Sequence, residues 1–224
     1  MKTVVIFDVD GTLLNTEKIY MQAWSESGLA LGYQIPEQAL MQTRAVSRSV
    51  AISKFKEFCG EDFPFEAIRK GRVRIAEELI MNTSAEKLRM PYAREILQLL
   101  RDRGYILATA SSTDYVTGCS HLEHAGLLDF FHAIVGGDMV QRGKPEPDIF
   151  LKAAEICGAS PENCVVVGDT PADALGGTAA GMDVILIPDQ VPANEQTIQL
   201  SRKILKNLNR LPDVLEILSQ EVSN

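Results

Sequence analysis

The sequence has no C-x-x-C pair and no regular cysteine framework. Its four cysteines, Cys59, Cys119, Cys157 and Cys164, therefore read as reduced thiols rather than disulfide partners or zinc ligands. Histidine is scarce as well. His121 and His124 share one predicted helix and His132 is the only other, so nothing couples the imidazoles into a metal site. The amino terminus lacks the apolar core of a secretory leader, and no apolar run approaches the ~20 residues that span a bilayer. The expectation is a soluble, cytoplasmic chain with no membrane partner. Positive charge is also in deficit: 22 Lys and Arg face 30 Asp and Glu, a formal charge of −8, which argues against nucleic acid as a partner. An anionic substrate would need a local cation. No internal repeat or low-complexity segment is present.

What is there is ordinary globular composition, 46% hydrophobic and 23% charged over 224 residues, enough for one large domain or a domain carrying an insertion. Lys2 to Phe7 is a short β-branched run without alternation, as suits a parallel strand covered on both faces. From Glu17 to about Met81 the apolar spacing is helical throughout, over Glu17–Leu31, a stretch opened by Pro36, Val46–Phe58 and Pro64–Met81. From Pro91 onward helix and strand alternate, with strands predicted at Tyr105–Ala108, Ala133–Val135, Cys164–Val167 and Val184–Ile187 and a closing helix or two from Glu195. The reading is an α/β core built on a parallel sheet, residues 1–15 and 85–224, with an all-helical insertion over 16–84.

Four constellations carry chemistry. Asp8 ends the first strand and Asp10 follows two residues later, both projecting toward one side, before Gly11 turns the chain and Thr12 offers a hydroxyl. Two such acids can bind a hard cation, and one can attack phosphorus while the other moves protons; a turn with a helix cap is the competing reading. Thr109-Ala110-Ser111-Ser112 follows another buried strand with small side chains and exposed amides, which suits phosphate oxygens or a plain helix cap. Gly143-Lys144-Pro145-Glu146-Pro147-Asp148 holds one lysine in a segment stiffened by two prolines. Val165 to Asp173 is a further apolar strand ending in Asp169, with Asp173 in the first turn of a helix started by Pro171.

These motifs, in this order, resemble those of the haloacid dehalogenase-like hydrolases: D-x-D-G-T-L, a Thr after the next strand, G-K-P-E-P-D and G-D-T-x-x-D. The resemblance covers essentially the whole chain. It implies a Rossmann-like core with a helical cap, Asp8 as nucleophile, Asp10 as general acid and base, and Thr109 and Lys144 as phosphate-holding catalytic groups. Ala110 and Ser111 would assist phosphate binding, and Asp169 would be a metal ligand with Asp173 as ligand or supporting partner. Asp8, Asp10, Asp169 and Asp173 gathered beside a phosphate would repel it by several kcal/mol at short range. A cation is therefore implied, and oxygen-only ligands favour Mg2+, with all four aspartates as its candidate ligand set.

The insertion is read more loosely. Arg44 to Arg48 and Arg69 to Arg74 are cationic clusters expected mostly on solvated faces. Val46-Ser47-Arg48 is similar to a segment in the caps of β-phosphoglucomutase-like members whose arginine grips a distal phosphate, which implies substrate binding by Arg48, assisted by Lys70. Trp24 fits the same branch. Tyr20 departs from it, standing where those mutases carry a histidine. The expected activity is Mg2+-dependent hydrolysis of a small phosphorylated metabolite through an aspartyl-phosphate, by a monomer or small homo-oligomer. The alternatives are a hexose-phosphate mutase and a non-catalytic phospho-metabolite-binding regulator.

Overall fold

In the computed structural model, residues 2–44 and 48–221 are described, and the chain divides into two compact units, residues 1–15 with 85–224, and residues 16–84. The strands are β1 (Val4–Phe7), β2 (Ile106–Ala110), β3 (Ala133–Val135), β4 (Cys164–Gly168), β5 (Asp183–Leu186) and β6 (Lys203–Ile204). They form one parallel sheet in the order β3-β2-β1-β4-β5-β6. This is the α/β core on a parallel sheet expected from the alternating pattern, and it is Rossmann-like as the resemblance implies.

The apolar run of β1 is buried at every residue because the strand lies between β2 and β4 and is covered on both faces. Phe7 is in register with Thr109 on one side and Val167 on the other. Strands β2 and β4 run one residue past that level, to Ala110 and Gly168, so the chain leaves all three strands within one residue of the same edge. Helices of this unit, numbered after the four of residues 16–84, are α5 (Ala85–Leu88), α6 (Ala93–Asp102), α7 (Tyr115–His124), α8 (Asp148–Ile156), α9 (Pro171–Ala179), α10 (Glu195–Leu200) and α11 (Leu211–Glu221). Ile149 and Phe150 of α8 and Ala174 of α9 join Ile6, Ala108 and Val166 in one core cluster, which fixes the helix starts against the strand ends.

Residues 16–84 hold α1 (Glu17–Ala30), α2 (Glu37–Gln42), α3 (Arg48–Cys59) and α4 (Phe65–Asn82). Ser27 Oγ of α1 donates to the Ile68 carbonyl at 2.7 Å, and a Cβ on Gly71 would lie 2.3 Å from Ser27 Oγ. Glycine is thus what lets α4 approach α1. An aromatic cluster closes this unit's core, with Trp24 4.7 Å from Phe55 and Phe55 stacked on Phe63 at 5.1 Å.

Three differences from the sequence expectation have simple causes. The edge strand β6 is two residues in a polar stretch, too short to show periodicity. Strand β2 runs two residues past the expected Ala108, because Ala110 still pairs with Val135. Leu31 lies beyond the end of α1 and is exposed rather than on its buried face. Val46 and Ser47, the expected start of the third helix and part of the Val-Ser-Arg segment, lie outside the described residues. All four cysteines are free thiols.

Candidate active site

Asp8, Ser111 and Asp169 are the first residues beyond β1, β2 and β4, whose ends lie within one residue of each other in register. Asp8 remains locked to the sheet through its amide, which donates to the Val167 carbonyl at 2.8 Å. Gly11 then turns at φ +88°, and a Cβ there would sit 2.4 Å from Asp169 Oδ2. Thr12 Oγ1 donates to Asp169 Oδ1 at 3.3 Å, so the first turn fixes the acid that ends β4.

Lys144 is the hub. Its Nζ donates to Asp8 Oδ1 at 2.5 Å and to Asp173 Oδ1 at 2.7 Å, with all three side chains buried. The Phe150 ring lies 5.2 Å from the ammonium, contributing a cation–π contact. Asp173 is oriented from its other oxygen: the Thr170 amide and hydroxyl donate to Oδ2 at 3.0 and 2.6 Å. That is a capping box at the start of α9, so one carboxylate both caps the helix and pairs with Lys144.

Carboxylate oxygens of Asp8, Asp169 and Asp173 all lie within 4.8 Å of one another. With all three ionised, the buried carboxylates against one ammonium leave two negative charges in excess, which a divalent cation with oxygen preference would cancel. The donor set fits Mg2+. Asp10, expected in the same ligand set, has its carboxylate engaged elsewhere: Thr113 Oγ1 donates to Oδ2 at 2.8 Å and Ser111 Oγ at 3.3 Å.

Burial drives the Asp8 carboxyl up to about 8, against the pull of Lys144, with Asp173 and Asp10 adding to the rise. Burial alone would lower Lys144, but the charges of Asp173 and Asp8 outweigh it and hold the ammonium above its ordinary value. In the metal-free protein near pH 6, folded Asp8 keeps a proton that the unfolded chain has already lost. Stability therefore falls as pH rises from about 4 to 8. Lys144 acts outside this window, since its contribution is lost only above the ordinary lysine range. Mg2+ competes with that proton for Asp8. The rise in Tm on adding Mg2+, measured by scanning calorimetry against a chelator control, is expected to be larger at pH 8 than at pH 6. Equal rises would remove Asp8 from the competition.

Thr109 is fully buried, and its Oγ1 has no hydrogen-bond partner among the described residues. Ser111 does not offer the exposed amide expected of it, because the sheet ladder continues one step further and its N–H donates to the Val135 carbonyl at 3.0 Å. Ala110 is likewise still in β2. Thr113 was not among the expected site residues. It lies in a loop after the strand and carries no motif, so only the fold brings its hydroxyl to Asp10.

In the helical unit, Arg48 is 62% exposed and paired with Glu66 at 2.5 Å, and Lys70 is exposed on α4. Arg44, expected on a solvated face, is instead buried. Tyr20 presents its ring to the Arg72 guanidinium, 4.1 Å from the centroid.

A family model for hydrolases, haloacid dehalogenase-like hydrolase, matches residues 2–181. The probable phosphatase IndB of Dickeya dadantii is 33% identical over 193 residues, covering 83% of this chain and 80% of that protein. Fructose-1-phosphate phosphatase YqaB of Escherichia coli is 29% identical over 181 residues, covering 81% and 94%. The crystal structure of β-phosphoglucomutase from Clostridium difficile shares the fold with a TM-score of 0.80 over 100% of both chains, at 20% identity.

Proposed function

The chain belongs to the haloacid dehalogenase-like hydrolases, and from that premise we propose that it is a Mg2+-dependent phosphatase of small phosphate monoesters acting through an aspartyl-phosphate on Asp8. The observation that carries the reading is the buried ammonium of Lys144 bridging Asp8 and Asp173, with Asp169 beside them. A dianionic phosphoryl group approaching Asp8 needs that positive charge. Asp8 attacks phosphorus while Asp10 gives a proton to the leaving oxygen, and water then cleaves the acyl phosphate as Asp10 takes its proton. Asp8, Asp169 and Asp173 would hold the cation, which when bound supplies Lewis-acid polarisation and cancels excess negative charge. The unpartnered Thr109 hydroxyl is suited to a phosphate oxygen, and Ser111 and Thr113 hold Asp10 in position.

Relatives named as phosphatases, one of them for fructose 1-phosphate, support a sugar phosphate or similar metabolite as substrate. Tyr20, occupied by Arg72 and standing where the mutases have histidine, favours hydrolysis over isomerisation. A cytoplasmic location belongs to the same reading. A turnover screen over a panel of phosphate monoesters with Mg2+ tests it, scoring released inorganic phosphate. An isomerised sugar phosphate as the main product, with a bisphosphate primer present, would reverse the choice.

Asp10→Asn is expected to lower kcat by about 10²–10⁴ on alkyl phosphates, whose leaving oxygen needs a proton, with KM little changed. On p-nitrophenyl phosphate, whose leaving group departs unprotonated, the drop in the first step should be much smaller. A change in KM alone would make Asp10 a binding residue.

A further inference from the structure

The Asp10 carboxylate is held by the loop that follows β2. Its Oδ2 accepts from Thr113 Oγ1 and Ser111 Oγ, and the Thr113 amide donates to Ser111 Oγ at 3.0 Å, so the two hydroxyls are tied into one unit. That unit sits between β2 and α7, outside both. A loop holds a side chain in place only as well as its own backbone is held.

The loop after β3 does the holding. The Gly137 amide donates to the Thr113 carbonyl at 3.0 Å, and the Tyr115 amide donates to Asp138 Oδ1 at 2.7 Å, one bond on each side of Asp114. Asp114 stands at the N-cap position of α7 but its side chain makes no cap bond, so Asp138 supplies from another loop the acceptor that the helix start needs. The two loops also touch backbone to backbone. A Cβ on Gly137 would lie 2.6 Å from the Ser112 carbonyl oxygen, and one on Gly136 would overlap the Tyr115 backbone. Two consecutive glycines are what permit that approach.

We infer that Asp138, with Gly136 and Gly137, positions the acid–base carboxylate of Asp10 through Thr113 and Ser111. The three act by way of the hydroxyls and not on the reacting atoms, which makes them positioning residues. Their importance to turnover rests on Asp10 as the proton carrier of the proposed hydrolysis, whereas their hold on Asp10 does not. Were Asp138 only a cap for α7, its loss would lower Tm and leave proton delivery untouched.

Proton delivery is isolated by a ratio: kcat/KM for the best alkyl phosphate of the substrate screen over kcat/KM for p-nitrophenyl phosphate. Each kcat/KM covers the steps up to release of the leaving group, and only the alkyl oxygen needs a proton there. Asp138→Ala is expected to lower the ratio about 3- to 10-fold, and Gly137→Ala, which pushes the loops apart, about 10- to 100-fold. Asp138→Asn keeps an oxygen for the Tyr115 amide and should restore most of it. A second readout needs no turnover. In full-length protein with isotope-labelled aspartate carboxyl groups, the Asp10 resonance, identified by its loss in Asp10→Asn, should move in Asp138→Ala in the direction that Thr113→Val moves it, and return toward wild type in Asp138→Asn. Should Gly137→Ala fail to fold, the Asp138 pair decides. A ratio or an Asp10 resonance left unchanged in Asp138→Ala would overturn the inference, whatever happens to Tm. Absence of turnover in the wild type would count against the hydrolase reading alone, and the Asp10 resonance would then decide the positioning.

Discussion

Asp8→Asn is expected to remove turnover by a factor of about 10⁴ to 10⁶, the scale on which enzymes lose rate with their attacking group. The same variant should fold at least as well as wild type when metal is absent. Asp8 is buried beside two other carboxylates and one ammonium, and burial lifts its carboxyl to about 8. Between the ordinary aspartate range and that value, ionisation favours the unfolded chain, so the charged form is a liability in the folded state. An amide of the same shape has no such liability. The Tm of Asp8→Asn relative to wild type should therefore rise between pH 5 and pH 8 under chelation, and its response to Mg2+ should shrink. Catalysis surviving in the variant would remove Asp8 as nucleophile. A lower Tm at every pH would instead give the carboxylate a structural role.

Lys144→Met should fail on both counts. Its ammonium is the charge bonded to Asp8 and Asp173, and removing one partner of a buried pair typically costs about 3–5 kcal/mol. The loss should be greatest at pH 8. At low pH the carboxylates take up protons and the missing ammonium matters less. Turnover should fall by about 10²–10³ at saturating substrate, the scale for losing one charge-stabilising donor. Since Mg2+ also cancels carboxylate charge, excess Mg2+ should recover part of the stability and little of the rate. A variant equally stable at pH 5.5 and pH 8 would contradict the account of Lys144 as counter-charge.

Asp8 and Asp169 were legible because each stands just beyond the end of an uninterrupted apolar run, where a buried parallel strand lets an acid emerge, and Asp173 because Pro171 starts a helix whose first turn holds it. Lys144 was legible from the resemblance of its G-K-P-E-P-D segment, since the two prolines alone leave it an ordinary loop lysine. Thr113 was not, since a threonine in a loop acquires meaning only when β1 and β2 pair in register and bring Asp10 to it. The Ser111 amide was misread by one step of strand. Arg44 and Arg48 belong to one cationic run, yet one is buried and the other pairs with Glu66 at the surface. Charge composition cannot separate the two, because the difference lies in how α1, α2 and α4 pack around Arg44.

The central place of β1 in the sheet also bears on the order in which a newly made chain can become active. Asp8 leaves the ribosome well before the partners of its strand, which lie about 100 and 160 residues downstream. Until Cys164–Gly168 has emerged, one side of β1 has no neighbour, and an apolar strand in that condition is open to pairing with other chains. The shortest stretch of polypeptide that can assemble the acid cluster runs from β1 through Asp173. A nascent chain stopped short of that point carries the reactive aspartate without its sheet, its lysine clamp or its raised affinity for a proton.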